Sequence, residues 1–511
     1  MYENSFANIL HFLENRKSLL RFLLKKATFY TLLYEERQQN QPFFSTFAPM
    51  KAKRDNYTFL TEGPIHQVIF TMAIPTIISM LSTSMYNLAD TYFVGSINTQ
   101  SVAAVGVSFA MMSVVQAVGF FYGHGAGNYV SRQLGAKHQE NAEKMAATGV
   151  VLSFLTGLLI AIVGHIFLTS LCTGLGSTPT ILPYTERYLG IILLGAPLTT
   201  TSLTLNNLMR FQGNTIYAMK GIMSGVLLNL ILAPLLILYF EMGITGAAIA
   251  TLISQCFGCL MLLWMTTKGQ NIRIRLRNFS PTKGYLKEIV FGGTPSLSRQ
   301  GLGSISTLML NVAAGVYGDA AIAGMSIVTR ICFFTYAVVI GLGQGFQPLC
   351  GFCYGAKLYA RVRDAFYFCI KCGTIFLCIC AIIGFVFAEN IVELFRSDPD
   401  VVSVGAMALK WQVISFPLVT TIVLTNMLMQ TIRKPVRANL VAAARSGLFF
   451  IPLIFILPHF FGLLGVEMCQ AWADVCSFSL AVPIAWSAFR DMRRMKAMER
   501  AGERAVEERE S

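Results

Sequence analysis

Long apolar segments recur along almost the whole chain and constrain its fold more than any other feature. The chain has 511 residues, of which 54% are hydrophobic and only 13% are charged, whereas soluble domains carry nearly twice that charge. Stretches of roughly 18 or more mostly apolar residues are typical of transmembrane helices, while a β-barrel would show alternating strands of about ten residues. The sequence therefore predicts an all-α polytopic membrane protein, with the lipid bilayer as its first partner.

Twelve apolar segments are long enough to cross a bilayer. Several exceed the minimum length and contain proline, which predicts tilts or kinks. The segments are 65–95, 102–131, 144–170, 183–208, 215–240, 243–267, 288–314, 320–353, 364–390, 405–431, 435–460 and 464–488. An even number of crossings places both ends of the chain on the same side of the membrane.

Lysine and arginine collect in alternate connections between these segments. They precede the first segment and follow the second, fourth, sixth, eighth and tenth, with Arg210 and Lys220 assigned to the connection after the fourth. The positive-inside rule then predicts a multi-pass protein of the plasma (inner) membrane with both termini in the cytoplasm. Because this rule also explains the net charge of +14, we expect no nucleic-acid partner.

The chain matches itself when it is shifted by 220 residues. Pro75 falls on Pro295, and the GAK of 135–137 falls on the GAK of 355–357. One offset that holds over more than 130 residues predicts two six-helix halves. An even number of spans in each half gives both halves the same orientation, which is a parallel repeat of the kind that transporters use.

Five regions follow from the segments and the repeat. We expect an N-terminal extension at 1–60, an N-terminal lobe (N-lobe) at 61–267, a cytoplasmic linker at 268–287, a C-terminal lobe (C-lobe) at 288–488, and a charged cytoplasmic tail at 489–511. The first 49 residues contain no spanning run, and Met50 begins a natural-looking start. A start-site artefact and a basic amphipathic surface helix both stay open for 1–49.

Several short motifs in this frame resemble the multidrug and toxic compound extrusion (MATE) transporters, in the branch whose cation site lies in the N-terminal half. They are MYNLADTYFVG at 85–95, AAVG at 103–106, GAK at 135–137, GFCYGAK at 351–357 and LNLILAPLLI at 228–237. The resemblance implies a secondary transporter, not an enzyme, that exports organic solutes or drugs by proton or sodium antiport with alternating access. We expect a monomer with a small organic substrate and no cofactor besides the coupling ion.

Asp90 ends the first apolar segment, with no basic residue near it. A charged side chain at membrane depth is costly, so it is a functional hypothesis by default. Asn87 and Tyr86 precede it by three and four residues, which places all three on one helix face. Two interpretations stay open: Asp90 binds a proton or Na⁺ as the coupling site, or it lies at the outer headgroup boundary.

The family resemblance implies neighbours for Asp90. It implies a polar cluster with the Asn and Asp of an N-x-x-x-D-P motif and with a Thr further along the chain. Here the motif reads Asn229-Leu-Ile-Leu-Ala233-Pro234, and Thr251 stands at the expected distance. Alanine replaces the second acid, which favours a proton because hard cations prefer several oxygen ligands and more negative charge.

The C-lobe carries charges near the middle of its spans instead. Arg299, Arg330, Arg445 and Asp474 each lie about ten residues inside a span, which is roughly mid-depth at about 1.5 Å per residue. One interpretation pairs Asp474 with an arginine and so fixes neighbouring helices. The other gathers these residues, with Gln300, around a positively biased cavity for an anionic or zwitterionic substrate.

Two weaker signals remain. Cys350-x-x-Cys353 and Cys369-x-x-Cys372 have a spacing that a zinc site allows, but they end apolar helices, so we interpret them as packing thiols and expect no metal. His124 lies in a glycine-rich segment, where a role in gating stays open.

The nearest rival function is a flippase or exporter of amphipathic or lipid-linked substrates. It would place the mid-depth arginines along a central cleft, whereas a drug exporter would pair them between helices. A membrane-embedded enzyme is disfavoured because we find no nucleophile elbow, metal-ligand pair or phosphate loop.

Overall fold

The computed structural model describes residues 55–95 and 97–510, without the side chains of 87–89, 91, 92, 99 and 499–510. Most of the expected N-terminal extension, including 1–49, therefore lies outside the described residues. The helices are α1 Asn56–Glu62, α2 Ile65–Gly95, α3 Thr99–Gly135, α4 Gln139–Ile166, α5 Leu168–Gly174, α6 Leu182–Leu194, α7 Ala196–Phe211, α8 Thr215–Pro234, α9 Gly243–Met265, α10 Lys283–Gly315, α11 Asp319–Gly355, α12 Tyr359–Val386, α13 Ala388–Glu393, α14 Pro399–Thr431, α15 Pro435–Ala443, α16 Phe450–Phe461 and α17 Leu463–Glu510. Two π-helical segments, Leu235–Tyr239 and Ala444–Leu448, continue α8 and α15.

The prediction of about twelve spans agrees with these helices. Ten segments of the described chain are long and apolar enough to cross a membrane, and α6 with α7 forms one more span that is bent by 49°. The bend falls at Gly195, and Pro197 lies in the first turn of α7, where proline is tolerated. α10 has 33 residues, but its serines, glycines and charges make it less apolar than those ten.

The helix ends of the two halves recur at the offset of 220 residues. α3 and α11 are both 37 residues long and begin and end at matched positions, and α4 and α12 do the same with 28 residues. Lys137 and Lys357, which follow α3 and α11, both have a φ of 62°. The halves therefore repeat backbone geometry as well as residues.

One end of the bundle gathers the basic connections, and we call it the basic end. It comprises α1 and the connections after α3, α7, α9, α11 and α14. The side chain of Asn56 in α1 donates to Asn214 at 3.0 Å, and its backbone N–H donates to Gln270 at 2.9 Å. The ammonium of Lys137 lies 4.8 Å from the centre of the Tyr57 ring. These contacts hold connections from different spans together at one level.

The two lobes approach each other closely in the half of the bundle near the basic end. A Cβ at Gly292 of α10 would lie 2.9 Å from the Cα of Gly125 in α3, and a Cβ at Gly345 of α11 would lie 2.7 Å from the Cα of Ala73 in α2. No side chain fits at such distances, so glycine is required at both positions. α3 thus packs on α10, and α2 packs on α11.

A third close approach lies nearer the basic end, between α3 and α11. A Cβ at Gly135 would collide with the backbone oxygen of Phe352, and a Cβ at Gly355 would collide with that of Arg132. Gly135 and Gly355 are related by the repeat, so this contact lies at matched positions of the two lobes.

Candidate functional site

A polar cluster inside the N-lobe brings together residues of α2, α8 and α9. The side-chain amide of Asn229 donates to Thr251 Oγ1 at 3.3 Å, and the Tyr86 hydroxyl lies 3.5 Å from the same oxygen. Asp90 lies one turn beyond Tyr86 on α2, is 9% exposed, and its Oδ1 has no hydrogen-bond partner among the described residues. We call Tyr86, Asp90, Tyr188, Asn229 and Thr251 the N-lobe polar cluster.

The burial of Asp90 bears on the two interpretations of this residue. Asp90 is packed inside the lobe, and Val94, one turn further on, is fully buried. Asp90 therefore faces the interior of the N-lobe, and its assignment as the coupling site stays a prediction. Asn87 lies on α2, but its side chain is outside the described part of the chain.

Tyr188 is a member of this cluster that sequence reasoning missed. It lies on α6, is 1% exposed, and packs in the same core as Val94 and Ala233, next to Asp90 and Asn229 along their helices. No motif marks Tyr188. The available signal was a hydroxyl-bearing side chain inside an apolar span, which must find a polar environment when it is buried.

Apolar packing occupies the position where a second acid would stand. Ala233 is 1% exposed and belongs to a core with Val94, Ala247 and Ala248. The N-lobe polar cluster therefore combines one carboxylate with an amide and hydroxyls, as the departure from the motif predicts.

The C-lobe treats its buried carboxylate differently. Arg445 Nε lies 2.7 Å from Asp474 Oδ1, and Asp474 is fully buried. Ser415 and Gln412 donate to Asp474 Oδ2 at 2.9 and 3.3 Å, and Gln470 donates to Oδ1 at 3.0 Å. Of the two sequence interpretations, the geometry supports the helix-fixing pair for Arg445 and Asp474.

The backbone around Arg445 is also unusual. Arg445 lies in the π-helical segment Ala444–Leu448, and its guanidinium lies 4.4 Å from the centre of the Tyr336 ring. Single π turns are rare in helices, and those that occur are often found at functional sites. Here the π turn belongs to the helix that carries the arginine of the ion pair.

The other two arginines of the C-lobe do not join this pair. Arg299 donates to the side-chain oxygen of Asn426 at 3.3 Å and is half-buried on α10, next to the half-buried Gln300. Arg330 is exposed on α11. The structure therefore divides the predicted cavity residues into one locked pair and two arginines outside it.

Arg210 corrects the sequence assignment. We placed it in an aqueous connection, but it lies within α7, is 3% exposed, and donates to Asn207 and, across the lobe boundary, to Gln344 of α11. Lys220 likewise lies on a helix, α8. The error arose because α7 continues beyond its apolar residues and is covered there by the other lobe.

An ion-pair network between the lobes at the basic end was also missed, and we call Arg132, Glu288 and Arg433 the basic latch. Glu288 of α10 lies 2.8 Å from Arg132 of α3 and 2.6 Å from Arg433, which follows α14. Arg132 also donates to the backbone oxygen of Thr431 at 2.7 Å. Glu288 is 8% exposed, so two arginines compensate one nearly buried carboxylate.

His124 and the cysteines complete the set of predicted positions. His124 is fully buried, with its Nδ1 3.1 Å from the Phe120 oxygen, and its Nε2 has no partner among the described residues. Cys350, Cys353 and Cys369 are buried in a hydrophobic core, and Cys372 packs against it.

Comparisons with known proteins agree with this architecture. A family model described as MatE matches residues 75–235 and 295–456, one match in each lobe. The chain is 28% identical to the multidrug export protein MepA of Staphylococcus haemolyticus over 438 residues, which cover 85% of this chain and 96% of MepA.

Solved structures show the same fold. The crystal structure of a MATE protein in complex with MaL6 has a TM-score of 0.82 and 24% identity, with coverage of 86% of this chain and 100% of that one. A multidrug resistance MATE family transporter in an outward-facing conformation has a TM-score of 0.81, also at 24% identity, with coverage of 87% and 100%.

Proposed function

Because the chain belongs to the MatE family, the multidrug and toxic compound extrusion (MATE) transporters, we propose that it exports organic solutes or drugs in exchange for protons. The observation that carries this proposal is Asp90, a carboxylate buried inside the N-lobe with one oxygen that bonds to no described residue. An intramembrane carboxylate without a cationic partner can exist with or without a proton, and such residues mark ion pathways.

The surroundings of Asp90 support a proton over Na⁺ as the coupling ion. The polar cluster provides one carboxylate, the Asn229 amide and the hydroxyls of Tyr86, Thr251 and Tyr188, while Ala233 provides no oxygen ligand from its side chain. Binding of a proton needs one carboxylate oxygen, whereas a hard cation needs several oxygen ligands at once. We therefore assign Asp90 as the proton carrier.

The basic end is the cytoplasmic side in this proposal. Its lysines and arginines follow the positive-inside rule, which would place both termini in the cytoplasm of a cell with this protein in its inner membrane. The close approaches of α2 to α11 and of α3 to α10, together with the basic latch, then close the cytoplasmic entrance. Alternating access requires that these contacts break and that a second arrangement replaces them.

Protonation of Asp90 would couple to this change through α2. Tyr86 and Asp90 lie on one side of α2, while Ala73 and Ile77 on the same helix pack against Gly345 and Gly341 of the other lobe. A change in hydrogen bonding at Asp90 therefore acts on a helix that also forms the lobe interface. Coupling of this kind is a difference in free energy between two arrangements of the lobes.

The proposal is tested with purified protein in liposomes. A fluorescent rhodamine dye, offered as its cationic methyl ester and as its free carboxylic acid, is transported under an imposed pH gradient or an imposed Na⁺ gradient. We expect the pH gradient to drive transport and Asp90→Asn to abolish that coupling. Asp364→Asn is the matched control, because Asp364 is exposed and bonds its neighbour Arg363.

Two outcomes would contradict the proposal. Coupled transport that survives Asp90→Asn unchanged would remove Asp90 from the mechanism. Transport that responds to the Na⁺ gradient and not to the pH gradient would replace the proton as coupling ion.

A flippase remains the second candidate, because Arg299 and Arg330 lie outside the locked ion pair. A lipid-translocation assay with fluorescent phospholipids in the same liposomes tests it. Translocation that requires Arg299 and Arg330, without dye transport, would favour the flippase.

A further inference from the structure

Two arginines of the C-lobe lie on helix faces that point at the N-lobe. Arg299 lies seven residues after Gly292 on α10, and Arg330 lies eleven residues before Gly341 on α11. Seven and eleven residues are about two and three helical turns, so each arginine shares a face with its glycine. Gly292 packs on α3 and Gly341 packs on Ile77 of α2, so both faces are directed towards the other lobe.

The lobes touch at the glycines but leave space at the arginines, further from the basic end. Arg330 is exposed, and Arg299 is half-buried. We call the space between these helix faces the interlobe cleft. Arg299 and Arg330 lie on its C-lobe wall.

The N-lobe wall of the cleft is apolar. Val114 of α3 is 50% exposed and lies seven residues before Phe121, whose ring packs where a Cβ of Gly293 would stand. Leu81 of α2 lies one turn after Ile77 on the same face and is half-buried. The cleft therefore has one basic wall and one hydrophobic wall.

The arginines of the basic wall have no counter-charge in the described residues. Neither Arg299 nor Arg330 lies within salt-bridge distance of a described carboxylate, and Arg299 bonds a neutral amide, Asn426. The buried carboxylate of the C-lobe, Asp474, is already paired with Arg445. Arg210, which is buried at the lobe boundary, likewise bonds neutral side chains, Asn207 and Gln344.

We propose that the interlobe cleft binds the oxyanion of an amphipathic organic substrate, a carboxylate in the first instance, on the wall that carries Arg299 and Arg330. This inference rests on the proposed export function and names the substrate class of that function. The guanidinium fork matches the planar geometry of a carboxylate and binds it through two parallel hydrogen bonds. The apolar wall then accepts the hydrophobic body of the same molecule.

The oxyanion site and the proton site are separate. Asp90 lies thirteen residues after Ile77 on α2, a rotation that places it on the far side of the helix from the cleft. The two sites can be occupied independently, and their coupling passes through α2. A substrate that carries only positive charge meets the basic wall, so it binds more weakly than its carboxylate analogue.

The test uses the two forms of the rhodamine dye, which differ by one methyl ester. Binding to the full-length protein is measured by fluorescence anisotropy in a neutral detergent, and transport is measured in liposomes. We expect the free acid to bind about tenfold more tightly than the ester. This preference disappears in Arg299→Gln and Arg330→Gln, persists in Arg299→Lys, and reverses in Arg330→Glu.

The matched control is Arg363→Gln, an exposed arginine at the basic end, which keeps the preference. The inference would be overturned if the acid and the ester bind equally, or if Arg299→Gln and Arg330→Gln weaken the binding of both dyes equally. Gradient-driven transport of either dye would still support the export function in that case. An Arg299-dependent preference for the acid without gradient-driven transport would uphold the site and overturn the export function. Displacement of the acid by short-chain phosphatidylglycerol at equal affinity would overturn the assignment to a solute, because the oxyanion would then be a lipid headgroup.

Discussion

The two lobes share one architecture but place their buried carboxylates in opposite environments. In the N-lobe, the described side chains around Asp90 are neutral, and none of them bonds its Oδ1. In the C-lobe, Asp474 forms an ion pair with Arg445 and accepts hydrogen bonds from three neutral side chains. A carboxylate held by a cation and by several hydrogen bonds is fixed in position, whereas a buried carboxylate without a cationic partner is of the kind that marks ion pathways.

This difference assigns separate tasks to the lobes. The C-lobe pair fixes α15, α17 and α14 relative to one another, because its members come from these helices and their π continuation. The N-lobe polar cluster joins α2, α8 and α9 through long and few hydrogen bonds. Because the polar contacts of the N-lobe are weaker, we expect a change of protonation to have a larger structural effect there than in the C-lobe.

The largest effect is expected from Asp474→Leu. This change leaves the half-buried Arg445 without its counter-charge, and breaking a buried pair from one side costs about 3–5 kcal/mol. Thermal unfolding in detergent, followed by tryptophan fluorescence, should show a strongly lowered midpoint. The double variant Arg445→Met with Asp474→Leu should recover most of the lost stability. If Asp474→Leu alone were as stable as the wild type, the two buried carboxylates would not differ in their structural role.

Glu288→Gln should have an intermediate effect at the interface that both lobes share. Loss of the charge leaves Arg132 and Arg433 facing each other across a neutral amide, at a cost of about 1–3 kcal/mol. Hydrogen exchange should rise in 128–138 and 283–292, where the lobes meet at the basic latch, and stay unchanged in the interior of either lobe. Uniformly faster exchange over the whole chain would show that the latch is not a separate element.

Asp90→Asn should change stability by no more than about 1 kcal/mol, in either direction. Among the described residues, Asp90 has no cationic partner and one of its oxygens accepts no hydrogen bond, so a neutral amide of the same shape loses little. The same unfolding measurement as for Asp474→Leu makes the comparison direct. A loss as large as that of Asp474→Leu would mean that Asp90 is a structural charge.

The smallest effect is expected from Tyr86→Phe. Its contact with Thr251 is 3.5 Å long, at the limit of a hydrogen bond. We therefore expect its loss to lower the free energy of unfolding by about 0.5 kcal/mol. The pH dependence of dye transport in liposomes is the informative measurement, because Tyr86 neighbours Asp90. An unchanged profile would exclude the Tyr86 hydroxyl from the proton site.

Much of the fold follows from the sequence because its signals are local. Apolar length predicts the spans, and the GAK motifs at 135–137 and 355–357 mark helix ends that share one backbone conformation, as Lys137 and Lys357 show. Four of the five members of the N-lobe polar cluster were predicted from the sequence, namely Tyr86, Asp90, Asn229 and Thr251, and two of their hydrogen bonds are present.

The residues that were missed depend on contacts between distant segments. Glu288 reads as an ordinary charge near a helix start, and only the approach of α3 and the connection after α14 gives it two arginines. Arg210 reads as a loop residue because the sequence does not show that α11 covers it. The π turn at Ala444–Leu448 also has no marker in the apolar pattern, since one extra residue per turn leaves the hydropathy unchanged.

The contact of Gly135 with Phe352 and of Gly355 with Arg132 has a mechanical consequence. It lies at one tip of α3 and α11, each 37 residues long and therefore about 55 Å from tip to tip. The contact acts as a fulcrum with a long lever arm: a tilt of about one degree there displaces the far tips by about 1 Å. A few degrees of tilt can therefore widen the mouth of the cleft by several ångströms while the contacts of Gly135 and Gly355 stay in place. Opening the basic end, by contrast, requires that these contacts break.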